Sequence, residues 1–292
     1  MFGKSREIVV NWHITEACNY KCDYCFAKWD KNSKEILHSQ YKTENLLKQI
    51  QKIQYILNKI SLKVQFNQIR LNLVGGETFL YKDALKEIVK LSKKYNFKVS
   101  AITNGSLFDE EIIQLISDNF CSIGISVDSI NLETNKNIGR STNKESFNFE
   151  KTLQAISQIR IRNPTIDIKI NTVVNSLNYN EDFSLFIQSA MPNKWKIFKL
   201  LPIYSKSLEI SENEFISFLQ RHESFKQVIS AENNDTMIES YLMIDPLGRI
   251  FQNGINHGYI YSPSLCDVDI ESAFDFINFD LHKFIDRYKR II

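Results

Sequence analysis

An α/β fold of six βα units is predicted for the first two-thirds of this chain, on three observations. Strand-like apolar runs alternate with segments of helical periodicity, and no long linker or shift of composition interrupts them. The chain has 292 residues, 43% of them hydrophobic, enough for one large core or two small ones.

Ile8–Ile14 reads as the first strand, and a cysteine-containing loop follows it. Leu46, Leu47, Ile50, Ile53, Ile56, Leu57 and Ile60 recur at helical spacing and predict a helix over Thr43–Ile60. Arg70–Val74 is the second strand, closed by Gly75-Gly76-Glu77. A helix over Lys82–Tyr95 leads to the third strand, Phe97–Thr103, and to Asn104-Gly105-Ser106. Asp109 is placed to cap a short helix. Cys121–Val127 gives the fourth strand, Lys144–Arg162 a helix, and Ile166–Val174 the fifth strand. A helix near Glu181–Ala190 and a strand over Lys196–Leu201 complete the series. After Pro202 the rhythm changes. Glu212–Val228 reads as a helix, Tyr241–Ile244 and Arg249–Gln252 as a hairpin around Pro246-Leu247-Gly248, and Ile270–Arg290 as terminal helical structure. Residues 1–202 and 203–292 are expected as a βα domain and an extension packed on it as one unit.

Net charge is +2, so no global field points to nucleic acid or to an acidic membrane, and phosphate recognition must be local. Few cysteines, none in a paired pattern, indicate a reducing compartment. No signal peptide or apolar run long enough to span a bilayer is present, which gives a cytoplasmic expectation.

Side chains two apart on a strand share a face, so each strand can be sorted. Ile8, Val10, Trp12 and Ile14 oppose Asn11 and His13; Leu71 and Leu73 oppose Arg70, Asn72 and Val74. Cys121, Ile123, Ile125 and Val127 oppose Ser122, Gly124, Ser126 and Asp128; Ile166, Ile168 and Ile170 oppose Asp167, Lys169 and Asn171. Lys196 shares a face with Phe198. The apolar faces should meet helices, leaving a polar, partly cationic face for an anionic ligand.

Three of the five cysteines, Cys18, Cys22 and Cys25, fall within eight residues. Thiolates at such spacing can converge on zinc or on an iron–sulfur cluster. A structural zinc needs four protein ligands, and Cys121 and Cys266 are isolated. Three ligands without a fourth suggest a [4Fe–4S] cluster with one iron open.

Cys-x3-Cys-x2-Cys followed by Phe26 resembles the signature of the radical S-adenosylmethionine (SAM) family. Asn11-Trp-His13 and Cys-Asn-Tyr-Lys-Cys are similar to its viperin-like branch, as are Lys169-Ile-Asn-Thr-Val-Val-Asn175, Trp195-Lys-Ile-Phe198 and Phe218-Leu-Gln-Arg-His222. The resemblance implies a partial (β/α)6 barrel, a TIM-like radical SAM barrel, with a C-terminal extension over its mouth. It implies a [4Fe–4S] cluster on Cys18, Cys22 and Cys25, with SAM on its open iron. Gly75, Gly76 and Glu77 match the motif that holds the methionyl amino group; Asn104, Ser126 and Arg140 match further SAM contacts. Arg70, Lys169, Asn171 and Lys196 match the residues that hold a triphosphate of about four negative charges. Tyr241 matches a tyrosine that delivers reducing equivalents to the substrate radical. His13, Cys121 and Cys266 receive no role.

The reaction implied is dehydration of a ribonucleoside triphosphate. A 5′-deoxyadenosyl radical takes hydrogen from C4′ and the 3′-hydroxyl leaves as water. The product is the 3′-deoxy-3′,4′-didehydro nucleotide, an antiviral chain terminator. CTP is favoured, with UTP or GTP possible. An external electron donor of flavodoxin or ferredoxin type and a monomeric chain are expected, with no direct nucleic-acid or membrane partner. The animal branch carries an N-terminal amphipathic membrane helix that is not expected here. The alternatives are a radical SAM enzyme acting on a peptide or small molecule, and a non-enzymatic iron–sulfur protein.

Overall fold

The structure, a computed structural model, describes residues 7–27, 35–61, 64–142, 147–202, 206–233, 237–253 and 258–289. It divides into two compact units. The first comprises Met1–Glu16, Trp29–Ser100 and Thr236–Ile292; the second comprises Ala17–Lys28 and Ala101–Asp235.

In the first unit, β1 (Glu7–Thr15) lies between β2 (Gln68–Gly75) and β8 (Leu242–Ile244), parallel to both. β8 continues antiparallel into β9 (Arg249–Asn253), and β9 into β10 (Tyr259–Ser264). The hairpin expected around Pro246 is therefore present, and it joins the edge of the first strand. Ile8, Val10, Trp12 and Ile14 are essentially inaccessible, as the alternation requires. Helix α1 (Gln40–Ile60) starts at Ser39, whose hydroxyl accepts from Lys42 N–H. It buries Leu46, Leu47, Ile50, Ile53 and Leu57, and lies beside α2 (Lys82–Lys94) and α8 (Ile270–Phe274). A last helix, α9, runs over Leu281–Lys289.

Strand β3 (Lys98–Thr103) carries the chain from the first unit to the second. There β4 (Ser122–Ser126), β5 (Asp167–Val174), β6 (Lys194–Lys199) and β7 (Ile229–Glu232) are successive parallel neighbours. α3 (Glu110–Asn119) is capped by Asp109, which accepts from Ile112 N–H as expected. α5 (Phe149–Arg162) packs beside α3 and α6 (Ser184–Ala190). The earlier part of the expected Lys144–Arg162 helix includes residues outside the described set. A short α4 (Leu132–Asn137), capped by Asn131, was not expected.

The helix expected over Glu212–Val228 is shorter: α7 spans Glu212–Arg221. His222 stops it. Its Nε2 accepts Phe183 N–H at 2.9 Å, which leaves Nδ1–H to donate to Phe218 O at 2.8 Å. The chain then turns and enters β7, so part of the extension adds a parallel strand beside β6. No helix among the described residues is long and apolar enough to cross a membrane.

Candidate active site

The cysteine loop, residues 17–27, is described within the second unit and has neither helix nor strand. Its shape comes from hydrogen bonds. Tyr20 N–H points at Cys18 Sγ (3.4 Å), and Asn104 Nδ2 lies 3.8 Å from the same sulfur. Asn104 also donates to Asn19 Oδ1 at 2.9 Å, while Asn19 Nδ2 donates to Ser106 Oγ at 2.8 Å. Ser106 closes the circuit through Asn104 Oδ1. Asn104 thus ties the loop after β3 to the first cysteine.

Cys18 is exposed; Cys22 and Cys25 are half-buried. Burial pushes the Cys22 thiol up to about 12; Arg140 opposes this, and Asp128, Cys25 and Cys18 add to it. No group of three His, Cys, Asp or Glu residues among those described stands in ready metal-holding geometry. The donor chemistry nevertheless suits an iron–sulfur cluster. The sulfurs are soft ligands, and N–H groups directed at Cys18 Sγ are of the kind that tune such clusters.

Behind the loop, Arg140 and Asp128 form a buried ion pair, Nη1 to Oδ2 at 2.8 Å. Arg140 Nη2 donates to Ser126 O at 2.6 Å, and its guanidinium lies over the Tyr20 and Phe147 rings. Burial would lower the Arg140 pKa, but Asp128, Tyr24, Cys22 and Tyr20 together outweigh it and keep the guanidinium charged. Arg140 Nε is buried with no hydrogen-bond partner among the described residues. A buried guanidinium N–H left over in this way is a fitting donor for a carboxylate such as that of SAM. Tyr24 donates to Asp128 Oδ2 at 2.5 Å. Burial, then Asp128, holds the Tyr24 phenol well above its ordinary pKa.

The polar face expected on β4–β6 follows from the strand register. Gly124 stands opposite Lys169 and Ser126 opposite Asn171. Lys169 stands opposite Lys194, and Asn171 opposite Lys196. Ile168, Ile170, Trp195 and Ile197 alternate with them and are inaccessible. Lys196 Nζ meets Glu232 Oε1 of β7 and lies over the Phe198 ring. Lys194 was not singled out from the sequence, because the sixth strand was read from Lys196. Tyr24 and Gly139 carry no pattern that marks them, and alternation marks Asp128 only as a member of the polar face.

In the first unit, Arg70 is held by Glu7 Oε2 (3.2 Å) and Ser100 Oγ (2.8 Å). The relay continues from Ser100 to Asn72 Oδ1, from Asn72 Nδ2 to Asn11 Oδ1, and from Asn11 Nδ2 to Leu242 O. Burial raises the Glu7 pKa, but Lys98 and Arg70 together hold it below its ordinary value. Gly75 has φ +143°, and a Cβ there would stand 2.5 Å from Thr15 O. Gly76 N–H donates to that carbonyl at 2.7 Å, so paired glycines let the segment lie against β1. Glu77 is fully buried and accepts Phe79 N–H. Tyr241 is half-buried just before β8, and its carbonyl accepts Gln252 Nε2. His13 is buried edge-on to Phe251, and burial lowers its pKa to about 3. Cys121 and Cys266 are both half-buried.

Parallel βα units with a three-cysteine loop after the first strand define a radical SAM architecture. A family model described as the radical SAM superfamily matches residues 12–181. An "S-adenosylmethionine-dependent nucleotide dehydratase" of Psychrobacter lutiphocae is 51% identical over 287 residues, covering 98% of this chain and 96% of that protein. A protein of the same name from Pseudoalteromonas ulvae is 35% identical over 290 residues, covering 98% and 94%. A solved structure described as native anSMEcpe with bound AdoMet and a peptide shares the fold. Its TM-score is 0.69 at 16% identity, over 96% of this chain and 83% of that one. The chain belongs to the radical SAM superfamily and, within it, to the viperin-like family of S-adenosylmethionine-dependent nucleotide dehydratases. Its cofactors are a [4Fe–4S] cluster and SAM.

Proposed function

We propose that this enzyme dehydrates a ribonucleoside triphosphate, CTP in preference to UTP or GTP, to its 3′-deoxy-3′,4′-didehydro analogue, an antiviral chain terminator. The observation that carries the reading is the registered polar column on β5 and β6. It sets Lys169 beside Lys194 and Asn171 beside Lys196, while the alternating isoleucines are buried. Convergent ammonium and amide donors on one face suit a polyanion.

Cys18, Cys22 and Cys25 hold the cluster, and Asn104 steadies Cys18. Gly75, Gly76 and Glu77, with Asn104, Ser126 and Arg140, hold SAM; Arg140 Nε, unpaired among the described residues, is the donor offered to its carboxylate. When bound, cluster and SAM together supply hydrogen abstraction at the ribose. The protein's part is to bind and orient: Arg70, Lys169, Asn171 and Lys196 hold the triphosphate so that C4′ is presented. Tyr241 delivers the reducing hydrogen afterwards. The electron comes from a flavodoxin- or ferredoxin-type donor, and the protein works as a cytoplasmic monomer.

Anaerobic turnover with each of the four ribonucleoside triphosphates, scored by mass spectrometry for loss of water, tests the reading. Loss of water from CTP is expected. Dehydration of none of the four would overturn it.

A further inference from the structure

Cys22 has little of its own to hold it. It sits in a loop without helix or strand, and the loop's internal backbone bond at this point is Cys25 N–H to Cys22 O. Its four nearest neighbours are all attached to a different part of the second unit. Lys21 N–H donates to Gly139 O at 3.0 Å, and Asp23 N–H donates to Ile138 O at 3.2 Å. Tyr24 OH donates to Asp128 Oδ2, and the Tyr20 ring faces the Arg140 guanidinium at 5.6 Å.

The partners of these contacts are joined to one another. Arg140 and Asp128 are ion-paired with side chains 4% and 3% exposed. Asp128 Oδ1 also accepts Val173 N–H at 2.7 Å, and Asp128 O accepts Asn178 Nδ2. The group is therefore rooted in the sheet. Gly139 has φ +80°, and a Cβ on it would stand 2.2 Å from Lys21 O and 3.1 Å from Cys22 Cα. Only glycine lets the turn approach the cysteine loop this closely.

We infer that the Gly139 turn and the Arg140–Asp128–Tyr24 group form a seat that fixes Cys22 as a cluster ligand and helps set the cluster's reduction potential. This deepens the proposed function and rests on its assignment of Cys18, Cys22 and Cys25 as ligands. Partners behind metal ligands orient them and tune the metal. Tyr24, Asp128 and Gly139 act through Cys22 and are positioning residues. A buried carboxylate near the cluster disfavours the more negative, reduced state. Removing its charge should raise the potential.

The test uses the full chain, reconstituted anaerobically with iron and sulfide, as parent, Tyr24→Phe, Asp128→Asn, Gly139→Ala and Cys22→Ala. Four quantities are read: iron per chain, the rate of iron loss to a chelator, the midpoint potential by titration followed by electron paramagnetic resonance, and melting before reconstitution. Tyr24→Phe is expected to melt close to the parent and to lose iron about tenfold faster or more. Asp128→Asn should shift the midpoint upward and alter the resonance line shape. Gly139→Ala should hold substoichiometric iron. Tyr24→Phe and Asp128→Asn carry the decision, because they leave the backbone unchanged. If both keep the parent's iron-loss rate, potential and spectrum, the seat has no such role. Cys22→Ala separates the premise: a variant that retained the parent's iron and spectrum would instead overturn the ligand assignment.

Discussion

Lys196 Nζ stands 2.7 Å from Glu232 Oε1, with side chains only 18% and 8% exposed. Lys196 is thus committed to a carboxylate on the neighbouring strand as well as to the face assigned to triphosphate. Removing one partner of such a pair leaves the other charge buried. Lys196→Ala is expected to cost about 3–5 kcal/mol of stability in a denaturant titration, in addition to any loss of nucleotide affinity. A variant as stable as the parent would show that Glu232 is not paired in solution.

Lys169→Ala is the cleaner probe of the polar face. It should weaken triphosphate binding by about 2–3 kcal/mol, the value of a charge-assisted contact, while SAM binding persists. Ile168→Ala and Ile170→Ala should behave oppositely. Both side chains are inaccessible, so each truncation should cost about 2–5 kcal/mol of stability with little specific effect on nucleotide. Calorimetric titration beside urea unfolding distinguishes the two patterns. Equal nucleotide binding by Lys169→Ala would remove that residue from the site.

This contrast follows from a pattern legible in the sequence, since residues 167–171 of β5 and 194–197 of β6 alternate polar with apolar, and period-two alternation fixes which residues share a face. The cysteine loop was legible for a different reason: ligand spacing is local. What escaped was non-local or weakly patterned. β7 is the tetrapeptide Ile229-Ser-Ala-Glu232, which carries no apolar run and pairs as a strand only because β6 offers it an edge. Nothing in the sequence ties Asp128 to Tyr24, 104 positions away, or reveals that Gly139 must pass within contact of Lys21. Lys194 lies two residues before the expected start of the sixth strand, because a strand end carries no periodic signal of its own.

Gly75 should be intolerant of any side chain. Its φ of +143° and the 2.5 Å approach of a Cβ to Thr15 O act together. Gly75→Ala should destabilise the protein by about 1–3 kcal/mol through backbone strain alone. It should also break the Gly76 N–H to Thr15 O bond and so weaken SAM binding. Unchanged melting and SAM affinity would contradict the close approach.

Stability should fall on mild acidification. Burial lowers the His222 pKa below its ordinary 6.5, with the Phe218 carbonyl and Asp182 opposing, and burial takes His13 to about 3. Below 6.5 the unfolded chain binds more protons at these positions than the folded one. Their contribution is therefore fully present above 6.5 and is lost progressively as pH falls towards the folded values. Protonated His222 would also set a second N–H against Phe183 N–H, which its Nε2 accepts in the neutral form. Urea midpoints measured at pH 7, 6 and 5 should decline in that order, with a smaller decline for His222→Gln. A flat profile would mean that both rings reach solvent before they titrate.

Tyr241 offers the sharpest separation of steps. It is half-buried at the entry to β8, the strand that lies parallel to β1, and Gln252 Nε2 holds its main chain through the carbonyl. Backbone position is thus held through the β8–β9 hairpin. Tyr241→Phe removes one oxygen, so folding and SAM binding should be nearly unaffected. If the phenol delivers the hydrogen that completes the reaction, the variant should still cleave SAM when nucleotide is present. It should nevertheless yield little dehydrated product, and the ratio of 5′-deoxyadenosine formed to water lost should rise well above the parent's. Both quantities can be read from one anaerobic reaction by mass spectrometry. A ratio equal to the parent's would reduce Tyr241 to an aromatic that packs beside the hairpin.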